Sequence, residues 1–349
     1  MGGALNVYAG AEALQHIRNQ GLVADDIAMV LGASSGPKWL VLHGIDQYLL
    51  GDFFQARKKP LHLLGTSAGA WRMACYAQQD AIAAHNRLTE AYLGQRYAKR
   101  PTMSEIQATC RDMVEQFIGT QGAQEILDHP YARMHLITTQ CHGATRVPHR
   151  YSQALVYLIT ALLNALHRKT LNLQFTRVVV HHPQSKPPLK TTPDIRTRHH
   201  PLTAEKLLDS VLSTGCIPVI IEGVKDVAGP GIFQDGGITD YGFDLPFLPD
   251  DGFVLYPHFA QRPVPGWFDK SLSWRKPKHT HYSKTILVVP SPEFIARLPY
   301  GKIPDRKDFS NMDDNTRIKY WKTVIAETQR FGDELATLNW QERVRPLPW

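Results

Sequence analysis

The sequence predicts an α/β protein of three layers, with a mainly parallel central sheet flanked by helices. Short apolar runs recur at 27–31, 61–65, 175–182 and 286–289, the lengths of buried strands, and stretches of helical period lie between them. Two of these runs pass through a turn of small residues straight into a helix, the order that parallel strands require. The chain has 349 residues and is 43% hydrophobic, enough to bury a large core. With no internal repeat and no composition shift to mark a boundary, 1–349 reads as a single domain.

Taken in order, residues 11–20 form a short amphipathic helix closed by Gly21, and 27–31 form the first buried strand. That strand enters Gly32-Ala33-Ser34-Ser35-Gly36-Pro37-Lys38-Trp39, after which 40–49 is helical. Pro37 suits a first helical turn, where the N–H it lacks would have no partner. A loop of Gly, Ala and Ser before a helix lets backbone N–H groups converge on an anion. It reads as half of an oxyanion site; without G-K-[ST] it is not a nucleotide-binding P-loop.

The second unit, Leu61-His62-Leu63-Leu64-Gly65-Thr66-Ser67-Ala68-Gly69-Ala70-Trp71, is a strand, a tight turn and a helix with Ser67 at the tip. Gly65 and Gly69 supply positions without Cβ where flanking side chains would clash. Such an elbow exposes the Ser67 hydroxyl for attack and aims the N–H of Ala68 at the oxygen that becomes negative. The alternative is a serine that merely caps a helix.

Helices are expected at 68–79, 86–97 and 103–118, the last capped by Ser104 with Glu105 in its first turn. A strand at 136–139, an apolar helix at 152–167 and a valine-rich strand at 175–182 follow. The polar, basic, proline-rich 183–201 reads as a surface loop. Thr203 caps a helix over 203–212, 213–218 closes it, and 219–221 is a short apolar run. In 229–237, Asp235 stands directly before Gly236 and Gly237, either a carboxylate poised on a sharp turn or an ordinary hairpin. Strands at 253–255 and 286–289 and a charged C-terminal helix at 313–331 complete the chain.

A formal charge of +7 favours anionic surfaces, of nucleic acid or of phospholipid. No nucleic-acid motif is present, so no nucleic-acid partner is expected. Residues 262–284 mix Trp267, Phe268, Leu272 and Trp274 with Arg275, Lys276, Lys278 and Lys284, and read either as a lid or interfacial loop meeting an anionic membrane or as a loop packed on the core. The histidines show neither H-E-x-x-H nor finger spacing, and the pairs His181-His182 and His199-His200 read as loop residues, so no metal or other cofactor is expected. Cys75, Cys110, Cys141 and Cys216 are widely spaced, as in reduced cytoplasmic proteins. The chain begins without a basic and then apolar leader, and nowhere do enough apolar residues run together to span a bilayer.

In motif order, the small-residue loop, the G-x-S-x-G elbow and the Asp-Gly-Gly turn resemble the patatin-like phospholipase family over most of residues 27–240. That resemblance implies a serine–aspartate dyad, with Ser67 as nucleophile and Asp235 as its partner. It puts Ser35, Gly36 and Lys38 on the oxyanion loop beside the Ala68 N–H, and Ser213–Pro218 on the stretch before the aspartate. Ser34, Ser35 and Trp39 stand where the family usually has glycine. The implied substrates are lipid or other carboxylic esters, cleaved through an acyl-enzyme. Two other readings stand beside it: a Ser-Asp-His triad using His258, His279 or His281 after Asp235, and a non-catalytic lipid or acyl-group binder on the same fold.

Overall fold

The computed structural model describes residues 3–98, 101–147 and 149–349. It is α/β, with an eleven-stranded mixed, mostly parallel sheet flanked by helices. The strands are β1 (Leu5–Ala9), β2 (Ile27–Gly32), β3 (Leu61–Gly65), β4 (Ala132–Cys141), β5 (Phe175–His181), β6 (Thr197–Pro201), β7 (Val224–Lys225), β8 (Ile232–Gln234), β9 (Phe253–Pro257), β10 (Thr285–Pro290) and β11 (Val344–Pro346). Their order is β11-β1-β10-β9-β2-β3-β4-β5-β6, with β8 beside β4 and β7 beside β8. The centre, β10-β9-β2-β3-β4, is parallel throughout. Its strands are covered on both faces, hence the unbroken apolar runs at Met29–Leu31 and Leu63–Leu64, all fully buried. β1 against β10 and β5 against β4 are antiparallel.

The principal helices are α1 (Ala11–Gln20), α2 (His43–Tyr48), α3 (Ala68–Tyr76), α4 (Ala81–Leu93), α5 (Met103–Ile118), α6 (Gly122–Asp128), α7 (Arg150–Leu166), α8 (Ala204–Thr214) and α9 (Gly237–Asp240), followed by C-terminal helices that include Asp314–Glu327 and Gln329–Ala336. The expected helix at 40–49 is instead a 3₁₀ turn over Gly36–Leu42, then α2, then a π turn over Leu49–Phe53. The single helix expected at 313–331 is two, the first capped by Asp313, whose carboxylate accepts from the Thr316 N–H. The cap of α5 is Thr102, not Ser104: Thr102 and Glu105 form a reciprocal capping box, which leaves Ser104 inside the first turn.

β1, β6, β7 and β11 were not expected. β1 carries polar Asn6 in a short run, and its pairing partner β10 lies far along the chain. β6 falls in the stretch read as a loop, and it pairs parallel to β5 as the sheet edge. Its charged, largely exposed residues suit an edge that must not recruit another strand. His199 and His200 therefore lie in β6, and His181 ends β5, rather than in a loop. The four cysteines are free and buried. Among the described residues, no helix is long and apolar enough to cross a membrane.

Behind the elbow, a buried polar network ties three helices together. Asp46 of α2 accepts from Arg72 Nε at 2.7 Å and from the Tyr76 hydroxyl at 2.7 Å, both on α3, and lies 3.0 Å from His85 Nε2 on α4. Burial alone would raise the Asp46 carboxyl, but the Arg72 guanidinium and the hydrogen bonds from His85 and Arg72 hold it well below the usual carboxylate range. Asp46→Ala would strand a buried guanidinium, so unfolding in denaturant is expected to lose about 3–5 kcal/mol. Because the folded-state pKa is depressed, wild type keeps this contribution above the ordinary carboxylate range and loses it as pH falls through the folded-state value. A loss below about 1 kcal/mol, the size of an exposed pair, would contradict this account.

Candidate active site

The site is assembled where β3 stops and β4 does not. β3 pairs with β4 only as far as Gly65 opposite Leu136. Further along, β8 pairs with β4 at Thr139–Cys141. β5 runs the other edge of β4 from His135 to Cys141, so β3 and β8 share one edge, end to end. The residues just beyond each, Ser67 and Asp235, thus turn towards the same gap.

They are hydrogen-bonded. Ser67 Oγ donates to Asp235 Oδ2 at 2.8 Å, although the residues are far apart in sequence. Ser67 sits at φ 54° and ψ −136°, a backbone region unfavourable for a side chain that persists when the surroundings impose it. The imposition is visible in the elbow glycines. A Cβ on Gly65 would collide with the Ala70 backbone, and one on Gly69 with the Gly32 backbone at the end of β2. Thr214, at the end of α8, completes the clamp: its hydroxyl accepts the Ser67 N–H at 2.9 Å and donates to the Ile137 carbonyl at 2.6 Å. The Thr214 carbonyl in turn accepts the Gly236 N–H at 3.2 Å.

Asp235 is 7% exposed. Its Oδ1 accepts from the Gly237 N–H at 2.7 Å and lies 3.3 Å from Ser34 Oγ. Ser34 Oγ also lies 3.1 Å from Thr66 Oγ1, whose proton goes to the Asp240 carbonyl at 3.0 Å. Burial pushes the Asp235 carboxyl up. The Gly237 N–H, the Ser67 hydroxyl and the charges of Arg306 and Lys270 offset only part of that rise. Asp-Gly-Gly is thus no hairpin: Asp235 leads from β8 into α9, and α9 is held by a buried bidentate pair between Asp240 and Arg177 at 2.6 and 2.8 Å.

Two spaces meet at Ser67. One, of about 30 Å³, is bordered by Ser34, Ser35, Gly36, Ser67, Asp235 and Gly237, with room for about one oxygen-sized group. The other, of about 770 Å³, runs from Gly36, Ser67 and Ala68 past Trp71, Tyr92, Met113, Ile217, Ile220 and Phe309, a mostly apolar wall of ligand-pocket size. Among the described residues no acceptor takes the N–H of Ser35, Gly36 or Ala68, and the Ser35 hydroxyl is buried without a partner. Gly36 adopts φ 53°, a left-handed conformation that its missing Cβ makes cheap. Lys38, grouped with this loop by sequence, borders neither space: its Nζ sits 5.0 Å from the centre of the Phe259 ring.

Sequence reading missed Thr66, Thr214 and Arg306. Half-buried Arg306 borders both spaces and makes no salt bridge among the described residues. It is presented by a segment tied around buried Asp308, which accepts from Trp321 Nε1 at 3.0 Å and from the Asp305 N–H at 2.9 Å. Lys270 lies 3.8 Å from the Tyr241 ring centre. Desolvation at that contact, with Arg306 and Lys38 nearby, holds its ammonium below the usual lysine range, although much of its surface stays open to water. No motif announces Arg306; only folding brings it to the Ser67–Asp235 pair.

The three histidines considered for a triad are engaged elsewhere. His258 is buried, its imidazole pushed down to about 3 by desolvation, with Nδ1 2.9 Å from the Ala260 N–H. His281 pairs with Asp244 at 2.7 Å, and His279 packs on Trp349. The loop 262–284 is pinned rather than free. Its Asp269 is buried and accepts from Asn164 Nδ2 at 2.8 Å and from Arg168 Nη1 at 2.5 Å, and Trp267 and Phe268 pack on Tyr157, while Trp274 is exposed. Among the described residues, no group of three or more His, Cys, Asp or Glu side chains is arranged to hold a metal ion. No family model matches the chain, and no curated protein matches it.

Because its pKa is raised in the folded state, ionising Asp235 opposes folding as pH rises through that value. Asp235→Asn keeps an acceptor for Gly237 and removes the buried charge. Thermal melts at neutral pH are expected to give a midpoint equal to or above wild type, the advantage vanishing as pH falls below the carboxylate range. A midpoint lower by the same amount at every pH would refute this.

Proposed function

We propose that this chain is a serine-dependent acyl hydrolase of patatin-like type, cleaving phospholipid, acylglycerol or related carboxylic esters through an acyl-enzyme on Ser67. The observation that carries the reading is the 2.8 Å hydrogen bond from Ser67 to Asp235 at the mouth of the apolar cavity. An unperturbed carboxylate, with a pKa near 3.9, is a poor base at neutral pH, and burial of Asp235 moves it in the useful direction.

In this reading Asp235 takes the hydroxyl proton as Ser67 Oγ bonds to the ester carbonyl carbon. The carbonyl oxygen, now negative, enters the small niche beside the N–H groups of Ala68, Gly36 and Ser35, and a preorganised donor of this kind is typically worth about 3 kcal/mol. When the adduct collapses, the ester C–O bond breaks and the proton on Asp235 passes to the departing alkoxide. Water then attacks the acyl-enzyme, giving its proton to Asp235, and the acid leaves as Ser67 recovers that proton. The apolar cavity suits an acyl chain. The cations Arg306 and Lys270 suit an anionic group next to the ester.

A fluorophosphonate probe is expected to label wild type and not Ser67→Ala. Hydrolysis of p-nitrophenyl esters and phospholipids should fall at least about a thousandfold in Ser67→Ala and Asp235→Asn. Since Asp235 must be ionised to accept the proton, kcat/KM should decline as pH falls through its raised pKa, with the acidic limb above the ordinary aspartate range. Bound lipid without labelling or turnover would favour the non-catalytic binder instead.

Arg306→Ala tests the substrate side. It is expected to raise KM for an anionic phospholipid by roughly tenfold, the scale of one charge-assisted contact, while leaving a neutral short-chain ester nearly unchanged. Equal effects on both substrates would remove Arg306 from substrate recognition.

A further inference from the structure

Helix α7 is built inside out. Its buried positions are Gln153, Tyr157, Thr160 and Asn164, whereas Tyr151, Leu155, Leu158, Ile159, Leu162 and Leu166 face outward, each between 47% and 82% exposed. These six follow helical spacing and form one continuous stripe. The exposure is locked in place, because each inward polar group has a protein partner. Gln153 Oε1 accepts the Val219 N–H at 2.5 Å, Tyr157 bonds Gln234, Thr160 bonds Gln174, and Asn164 bonds Asp269 at 2.8 Å. Rotating the helix to hide its leucines would break all four bonds and bury their partners unpaired.

The segment that carries the stripe has cations and no acid of its own, and the nearby carboxylates Asp269 and Asp194 are taken up by Arg168. No Asp or Glu occurs between Asp128 and Asp194, so the whole helix and its flanks lack acid. Arg146 and Arg150 lie exposed at its start and Lys169 just past its end, and among the described residues none of them makes a salt bridge. Arg275 bonds the Asn164 carbonyl at 2.9 Å, which brings exposed Trp274 and Lys276 alongside the end of the helix. Leu173 adds a further exposed apolar side chain just beyond it. An apolar stripe ending in cations and an exposed tryptophan matches the boundary between acyl chains and anionic headgroups. A second copy of the same face would set cations against cations across a two-fold axis.

The geometry points to α7 as the surface by which this chain docks on an anionic lipid bilayer, with the apolar stripe sunk among the acyl chains and the terminal cations on the headgroups. The inference deepens the lipid-hydrolase reading and rests on it for its purpose. The helix that carries the face backs onto the site through its inward side and its first turn: Gln153 and Arg150 hold Val219, in the loop whose Ile217 and Ile220 line the cavity, and Tyr157 bonds Gln234, the residue before Asp235. A bilayer on the outward stripe would therefore lie one helix away from the elements that carry Asp235 and line the cavity.

The test is co-sedimentation of the full chain with vesicles of phosphatidylcholine, with and without phosphatidylglycerol, at low and high salt. Wild type is expected to pellet with the anionic vesicles and less so as salt rises. The double variant Leu158→Glu and Leu162→Glu should bind at least about tenfold more weakly. It should keep the wild-type thermal midpoint and its turnover of a soluble short-chain p-nitrophenyl ester, because neither side chain packs inside. Lys169→Glu with Lys276→Glu should weaken binding and flatten its salt dependence. Wild type that stays in the supernatant, or a double variant that pellets equally, overturns the inference. So does a wild-type dimer in analytical ultracentrifugation that the leucine variant dissociates. If wild type binds vesicles and the leucine variant does not, while neither turns over any ester, docking stands and the hydrolase reading falls.

Discussion

Because β4 continues from Ile137 to Cys141 beyond the point where β3 leaves the sheet at Gly65, part of its edge is open to another strand, and β8 closes it from the opposite direction. Two chain segments end facing one another across the residues between them. That gap would leave backbone groups unsatisfied, and the Thr214 hydroxyl spans it by taking the Ser67 N–H and giving its proton to the Ile137 carbonyl. The Thr138 hydroxyl does the same for the Gln234 carbonyl at 2.9 Å. The meeting of Ser67 and Asp235 thus follows from unequal strand lengths and two threonines, and the geometry of the pair is as rigid as the sheet that imposes it.

Electrostatically, the fold treats its buried carboxylates in opposite ways. Asp46 and Asp240 each face an arginine in bidentate contact, which suits a charge that only has to stay put. Among the described residues Asp235 has no such partner. It is held by an N–H and hydroxyls, with Arg306 and Lys270 contributing at longer range, and these offset only part of the rise that burial causes. A full ion pair would stabilise the fold and remove the basicity that the proposed chemistry needs, a compromise common where stability and activity compete. Backbone strain at Ser67 belongs to the same compromise.

The outward leucines of α7 are a second departure from what stability alone favours. Apolar side chains in water and hydrogen-bonded polar side chains beneath them invert the usual amphipathic helix. The inversion is also why helical periodicity located this helix correctly while saying nothing of which side is buried.

Much of the fold was legible in the sequence. The central strands announce themselves as short apolar runs because both of their faces are covered, and the elbow does so because only glycine fits at Gly65 and Gly69 where backbones cross. Elements held mainly by distant partners were not legible: β1 needs β10, and β6 needs the free edge of β5. Local patterning also misread the α5 cap, since a threonine two residues earlier made the better reciprocal box. By itself, then, the sequence determined the parallel core, the elbow with Ser67 at its tip and the turn that carries Asp235, because each rests on local sterics or on periodic burial. Tertiary structure alone decided that these two side chains touch, that Thr214 clamps them, that Arg306 joins them and Lys38 does not, and that α7 turns its leucines outward. Each of these depends on contacts between segments far apart along the chain, and no local pattern of residues encodes them.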